Sequence, residues 1–128
     1  MSEEDEVIDV QAKTITVNDV KYVRADSAPV EGIDGRKYCI VRTKSAGIFA
    51  GFVSEREGQE VHMVNAMRIW YWDGAASLSQ LAMEGVTSPE NCKFPIAVNS
   101  IVLTDAIEII EVTAAAMASI DGVKIWKR

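Results

Sequence analysis

The chain has 128 residues, of which 48% are hydrophobic, and a formal net charge of −6. This length and composition are typical of one domain with a buried core. No apolar run approaches the ~20 residues of a membrane helix, and the acidic N-terminus is unlike a signal peptide, so we expect no membrane partner.

The negative charge is concentrated at the N-terminus. Met1 to Asp9 contains five acidic residues and no Lys or Arg, which leaves the rest of the chain at about −1. Such a segment is typical of a solvated arm. The nearly neutral remainder offers no broad basic face, so we expect no binding to duplex nucleic acid.

The residues after this arm predict a hairpin and a linker. Thr14–Val17 and Lys21–Val23 are rich in β-branched and aromatic residues, and Asn18-Asp19 is a suitable turn between them. Asp26–Gly35 contains Pro29 and two glycines, which indicates a linker. We therefore predict an acidic arm, hairpin and linker over residues 1–36 and a ligand-binding domain over residues 37–128.

The ligand-binding domain begins with a series of predicted strands. Period-two patterns separated by short links predict an antiparallel meander over Tyr38–Arg42, Gly47–Val53, Glu60–Val64 and Arg68–Trp72. In the second strand Ile48, Ala50 and Phe52 share one face. Gly47 and Gly51 lie on the other face, where a missing side chain permits close approach.

Two short helices are predicted. Ser77 is a suitable N-cap for the first helix, Gln80 completes a capping-box pattern, and Gly85 can end the helix. Further along, the patterns predict a loop over Thr87–Pro95, strands over Ile101–Leu103 and Ile107–Val112, a helix over Ala114–Ser119 capped by Thr113, and a last strand over Val123–Trp126.

These elements define an α+β fold. We expect a mainly antiparallel twisted sheet or partial barrel with two short helices, preceded by the acidic arm and hairpin. An Ala-rich helix of about two turns is marginally stable alone and must dock on another element. Edge strands also need cover. Both constraints favour a homo-oligomer.

The sequence shows no catalytic constellation. His62 is the only histidine and lies within a strand; Cys39 and Cys92 are far apart, so neither a metal site nor a disulfide is expected. Glu108 and Glu111 fall on opposite strand faces and cannot form an acid–base pair. With no phosphate-binding motif either, we expect no enzyme, no metal and no cofactor.

The strongest candidate binding residues follow Met67. Period two places Arg68, Trp70 and Trp72 on one face, where a guanidinium and indoles could hold a phosphate and stack a base. A core face with Arg68 reaching out to solvent is an equally good interpretation for Trp70, and a less favoured one for Trp72.

The turn before the first helix is a second candidate. Small residues from Gly74 to Ser77 keep the backbone amides accessible, and we include Ala76 and Ser77 as anion-binding residues. Asp73 would repel a phosphate unless it turned outward or accepted a ribose hydroxyl. An ordinary tight turn explains the same composition and is the more common case.

Isolated basic residues and one aromatic residue complete the predicted site. Arg42 ends a strand, and Lys124 and Arg128 share a face with Trp126; each alone is typical of a solvated charge. Phe94 is expected to be exposed in its loop, either as a plug over the helix or as a stacking lid.

Four segments resemble a known family of small phage and prophage proteins: Tyr38–Gly51, Arg68–Gly85, Asn91–Pro95 and Lys124–Lys127. The chain is similar, over Tyr38 to Arg128, to the phage anti-defence family that inhibits Thoeris immunity. The resemblance implies an oligomeric sponge that holds cyclic ADP-ribose isomers, and in some members cyclic oligonucleotides, intact at subunit contacts in the host bacterial cytoplasm.

Three hypotheses follow for the function. The first is a non-catalytic nucleotide sponge whose site combines the residues above, partly from a neighbouring subunit. The second is a phage structural or assembly protein that uses the aromatic strand as a subunit interface. The third is an enzyme acting on a phosphate ester or a glycosidic bond.

Overall fold

A computed structural model describes residues 14–17, 20–23 and 35–127 of the chain. Several predictions concern residues outside these ranges: the acidic arm over Met1–Asp9, the turn Asn18-Asp19, the linker before Gly35 and the ligand-binding role of Arg128.

The predicted N-terminal hairpin is present. Strand β1 (Thr14–Val17) pairs antiparallel with β2 (Val20–Val23), so that Thr14 lies opposite Val23. These two strands form a separate two-stranded sheet.

The larger sheet has five antiparallel strands, and two helices and one 3₁₀ turn complete the fold, which confirms the α+β prediction. The bounds are β3 Lys37–Thr43, β4 Ile48–Glu57, β5 Glu60–Arg68, α1 Leu78–Glu84, a 3₁₀ turn Pro89–Asn91, β6 Val98–Leu103, β7 Ala106–Glu111 and α2 Ala114–Asp121. The order of the strands across the sheet is β6-β5-β4-β3-β7.

The sheet curls because its two edge strands are consecutive in the chain. Only Thr104 and Asp105 separate β6 from β7, so the opposite edges of the sheet are within about 11 Å of each other at this end. The Ala106 amide donates to the carbonyl of Gln59 at 3.0 Å and so ties the edge to the turn before β5. The two edge strands do not pair, and the sheet remains open.

Each face of the sheet carries its own apolar cluster. One cluster has no helix residue and is almost fully enclosed; it comprises Cys39, Val41, Phe49, Val61, Met63, Ala66, Leu103 and Ala106. The other, which we call the helix-side cluster, joins Tyr38, Ile40 and Ala50 to the apolar sides of both helices. Ile48 and Phe52 pack against this second cluster, as their alternation with Ala50 predicts.

Gly51 lies on the opposite face of β4, where the prediction of close approach is correct. A Cβ built on Gly51 would lie 2.7 Å from the Cα of Ala66, so the backbones of β4 and β5 nearly touch there. The register of this strand pair shifts between Ala50 and Phe52, and Asn65 has a positive φ of 50°. The close approach of the β4 and β5 backbones therefore requires glycine at position 51.

Both helices have the predicted caps. The Ser77 hydroxyl accepts from the Gln80 amide at 3.2 Å, and the Thr113 hydroxyl accepts from the Ala116 amide at 3.1 Å. The second helix docks on the first, and the Ser119 hydroxyl accepts from the Val86 amide at 3.0 Å.

Two predicted strand boundaries are wrong. β5 runs without interruption through Asn65-Ala66 and ends at Arg68, so residues 69–72 are not a strand. The reason is that β4 begins only at Ile48. The Ile48 carbonyl accepts from the Ile69 amide, and β4 has no earlier residue with which residues 70–72 could pair. The predicted last strand is reduced to one parallel bridge between Phe94 and Ile125.

We expect Gly85→Ala to destabilise the fold. Gly85 has φ of +80°, and a Cβ added there would clash with the Ser119 side chain, so both the backbone and the helix contact would be strained. The free energy of unfolding in urea should fall by at least about 2 kcal/mol. Gly58→Ala is the matched control, because Gly58 has φ of +61° with nothing within 4 Å of the added Cβ. Gly58→Ala should lower the free energy of unfolding by about 1 kcal/mol. Equal losses in the two variants would contradict the close contact between Gly85 and Ser119.

We expect Tyr38→Phe to stabilise the protein. The Tyr38 ring packs edge-on against Phe52 at 5.1 Å, but its buried hydroxyl has no hydrogen-bond partner in the described residues. Removing an unsatisfied hydroxyl should raise the free energy of unfolding by roughly 1 kcal/mol. A less stable variant would contradict the burial of this hydroxyl without a partner.

The same substitution should alter the alkaline limb of the stability profile. Burial, followed by the charge of Asp121, raises the pKa of Tyr38 above its ordinary value of 10.0. The folded state thus favours neutral tyrosine. The resulting contribution of Tyr38 to the free energy of unfolding is complete below pH 10.0 and is lost as the pH rises further, because the unfolded chain ionises first. The advantage of Tyr38→Phe should therefore grow above that pH. Cys39, whose pKa burial raises to about 11, contributes equally in both proteins.

Candidate functional site

The segment after β5 is fixed by one buried side chain between exposed ones. Ile69 is 3% exposed, and its amide donates to the Ile48 carbonyl at 2.7 Å. Trp70 is 64% exposed and Tyr71 is 51% exposed. Burying Ile69 in the helix-side cluster therefore turns Trp70 outward, although no regular strand continues here.

A second strand-like contact holds the other side of this segment. The amides of Trp70 and Tyr71 donate to the Lys93 carbonyl at 3.2 and 3.3 Å, and the Lys93 amide donates to the Tyr71 carbonyl at 2.8 Å. The backbone of an otherwise irregular segment is thus paired on both sides. These hydrogen bonds fix the backbone that carries the exposed rings of Trp70 and Tyr71.

Trp72 is anchored more deeply than Trp70. It is half-buried, packs against the helix-side cluster, and donates its indole N–H to the Ala75 carbonyl at 3.1 Å. Its polar atom is satisfied, so its orientation is fixed while part of the ring surface remains accessible.

Arg68 is held by stacking. Its guanidinium carbon lies 4.6 Å from the centre of the Phe49 ring. A Cβ built on Gly47 would lie 3.8 Å from Arg68 Nε, so the guanidinium passes close to the glycine backbone. No acidic residue in the described part of the chain forms an ion pair with Arg68. Its charge is therefore available to an anion.

A turn forms the opposite wall. Both the amide and the hydroxyl of Ser45 donate to the Asp105 carboxylate, at 3.1 and 2.6 Å, and the Ala46 amide donates to the Thr43 hydroxyl at 2.9 Å. Together the turn and the aromatic segment enclose a cleft of about 440 Å³, which we call the aromatic cleft. Its lining residues are Ser45–Ile48, Arg68, Ile69, Trp70 and Trp72.

The aromatic cleft combines two recognition groups. The guanidinium of Arg68 can bind a phosphate or carboxylate through paired N–H groups. The indoles of Trp70 and Trp72 offer flat surfaces to a nucleobase or another planar ring. Sequence alternation correctly grouped these three residues, although it did so through a strand that does not exist.

The predicted anion site at the start of α1 is not supported. The Ala76 amide already donates to the Gln80 side-chain carbonyl at 2.8 Å, and the Ser77 hydroxyl accepts within the cap. Neither residue lines the aromatic cleft. Asp73 accepts from the Asn91 side chain at 2.8 Å, so the carboxylate is held within the turn. The small residues there serve an ordinary turn and cap.

Two other predicted residues are also placed elsewhere. Arg42 Nε donates to the Glu108 carboxylate at 2.8 Å, so its charge is compensated on the surface of β3 and β7. Phe94 is 2% exposed and packs in the helix-side cluster, so the prediction that it is exposed is wrong. The bridge to Ile125 and the carbonyl contact with the Trp126 amide draw this loop inward.

Lys124 lies in a different depression. A groove of about 560 Å³ at the C-terminal end is lined by Pro89, Glu90, Cys92, Gly122 and Lys124–Lys127. The Lys93 ammonium lies 5.6 Å from the centre of the Trp126 ring beside it. The structure therefore separates Lys124 from Arg68 and Trp72 within one chain.

The remaining reactive side chains lie outside the aromatic cleft. His62 Nε2 contacts the Glu60 carboxylate at 2.9 Å, and its Nδ1 is 3.7 Å from Glu55. Cys39 and Cys92 are both buried free thiols. Among residues 14–17, 20–23 and 35–127, no group of three or more His, Cys, Asp or Glu side chains is arranged to hold a metal ion.

Sequence reasoning missed the wall formed by residues 45–47 and left Trp70 undecided. Gly47 gave one indication of the wall, because the sequence pattern placed it on the strand face where a missing side chain permits close approach. The hydrogen bonds from Ser45 to Asp105 join residues 60 positions apart, and no local pattern reveals such a contact.

Comparison with known proteins places the chain in a family. A family model described as a domain of unknown function, DUF6948, matches residues 36–120. No curated protein and no solved structure matches the chain. The range that the family model matches contains the entire aromatic cleft and ends before Lys124.

Proposed function

Because the chain belongs to DUF6948, a family of unknown function, we propose its function from the geometry of the aromatic cleft. The protein binds and sequesters a cyclic nucleotide immune signal of a host bacterium, a cyclic ADP-ribose isomer or a cyclic di- or trinucleotide, without cleaving it. The observation that carries this proposal is the convergence of Arg68, Trp70 and Trp72 on one cleft.

The size and energetics of the aromatic cleft fit such a ligand. Its volume of about 440 Å³ falls within the roughly 300–1,000 Å³ of small-molecule sites. Stacking of a base on an indole contributes ~1–3 kcal/mol. A charge-assisted phosphate contact contributes ~1.5–3 kcal/mol. Two stacking contacts and the contact to Arg68 approach the roughly −8 kcal/mol of a micromolar complex, and a second subunit can supply the remainder.

The composition of the cleft favours binding over chemistry. Among the described residues, its lining contains no carboxylate, imidazole or thiol, and Arg68 is the only ionisable side chain. A guanidinium remains protonated and cannot act as a general base. The one side-chain hydroxyl among these lining residues is that of Ser45, which donates to the Asp105 carboxylate at 2.6 Å, and the lining residues include no imidazole or amine that could activate it for attack.

The proposed place of action is the host bacterial cytoplasm, where such signals are made. None of the helices in the described part of the chain has the length and apolar character needed to cross a bilayer. The near-neutral body is compatible with a small ligand rather than duplex nucleic acid.

One observation favours a second candidate. Trp70 and Tyr71 are adjacent, large and more than half exposed, as in the centre of a protein–protein contact. A phage structural or assembly protein would use them as a subunit interface. Detection of the protein at high copy in purified virions would select this function, and its absence from them would favour the nucleotide sponge.

We expect Arg68→Ala and Trp70→Ala to weaken ligand binding measured by titration calorimetry. The probes are cyclic ADP-ribose isomers and cyclic di- and trinucleotides. Loss of one charged or stacking contact should raise the Kd about ten- to a hundredfold. Arg42→Ala is the matched control, since Arg42 is an exposed arginine outside the cleft whose partner is Glu108. It should leave the Kd unchanged.

The same complex tests whether the ligand is cleaved. After heat denaturation of the protein, the bound ligand should be recovered intact by mass spectrometry. Recovery of hydrolysed ligand would identify an enzyme acting on a phosphate ester or glycosidic bond. Absence of binding heat for every probe would refute the proposed function.

A further inference from the structure

Strand β6 has an open edge. In the five-stranded sheet, β6 and β7 are the two edge strands, and among residues 14–17, 20–23 and 35–127 the only strand that pairs with β6 is β5. Its outward residues are accessible: Val98 is 42% exposed and Val102 is 48% exposed. An edge of this kind presents a row of unpaired backbone N–H and C=O groups to a further strand.

The other edge strand is protected in ways that β6 is not. β7 carries Glu108 and Glu111, which pair with Arg42 and Lys37, and its register with β3 shifts between Arg42 and Thr43. Charges and bulges are the usual means by which a sheet edge is kept from pairing with another chain.

β6 carries neither of these features. No charged residue occurs from Phe94 to Thr104, and Pro95 lies before the strand rather than in it. Its register with β5 is continuous from Leu103 opposite Val61 to Val98 opposite Ala66. A regular, uncharged and exposed edge is the form that strand addition requires.

We propose that β6 is a self-association edge, at which two copies of the chain pair β6 with β6 in antiparallel orientation about Ser100. The two five-stranded sheets then continue into one sheet of ten strands. A twofold axis at Ser100 places Val98 of one copy opposite Val102 of the second copy and brings the two Ser100 residues together. This inference does not depend on the ligand of the aromatic cleft.

The pattern along β6 favours a second copy over a foreign strand. Pairing about Ser100 sets Val98 opposite Val102 and hydroxyl opposite hydroxyl on one face of the strand, as cross-strand pairs prefer, and sets Asn99 opposite Ile101 on the other face. The net charge of −6 makes two copies repel, and an interface free of charge on both sides adds nothing to that repulsion. A twofold contact of one patch with itself is also the commonest symmetry of soluble oligomers.

Matched substitutions on the two edges test the proposal. Val102→Lys and Ile107→Lys introduce the same charge at residues that are 48% and 47% exposed, on β6 and β7 respectively. In sedimentation equilibrium the unaltered chain should be a dimer, Val102→Lys should raise the dimer Kd about tenfold or more, and Ile107→Lys should leave it unchanged. A monomeric unaltered chain, or a dimer broken only by Ile107→Lys, overturns the proposal.

Cross-linking tests the register in a folded protein. Paired residues of antiparallel strands have Cα atoms about 4.5–5.5 Å apart, which a disulfide can span. Ser100→Cys should form a covalent dimer under mild oxidation. Thr104→Cys should not, because the twofold axis at Ser100 places the two copies of residue 104 far apart. Native Cys39 and Cys92 are buried and do not compete. Failure of Ser100→Cys to cross-link overturns pairing about Ser100, and a peptide bound along β6 of a monomer would identify a foreign strand instead.

Discussion

The burial of Ile69 is the contact on which the aromatic cleft depends. Its side chain enters the helix-side cluster and its amide bonds the first residue of β4, at the point where β5 has lost its strand partner. With Ile69 fixed inward, Arg68 and Trp70 on either side are directed to the surface. A side chain with no polar atom thus positions the two groups that can recognise a ligand.

The curl of the sheet connects this cleft to the rest of the fold. Because a two-residue link joins the edge strands, Asp105 reaches the turn after β3 and accepts from Ser45. That contact fixes the wall that faces Trp70 and Trp72. The same topology places β6 at an edge of the sheet, where its uncharged sequence is the proposed self-association edge.

Local patterns predicted the elements better than their assembly. The caps at Ser77 and Thr113, the N-terminal hairpin and the alternation in β4 depend on neighbouring residues, and all are correct. The burial of Phe94 depends on the distant C-terminal tail, and the position at which β5 ends depends on where β4 begins. Both of these predictions are wrong. Arg42, Ala76 and Ser77 were suitable by residue type, but each is already engaged within the chain.

The most direct measurement of the proposed binding site uses the chain's three tryptophans, which give three indole N–H signals in a ¹⁵N-correlated NMR spectrum. Titration with a cyclic ADP-ribose isomer or a cyclic dinucleotide should shift the signals of Trp70 and Trp72, which line the aromatic cleft, and leave that of Trp126, in the C-terminal groove, in place. Movement of the Trp126 signal alone, or of none of the three with any of these ligands, would contradict the account.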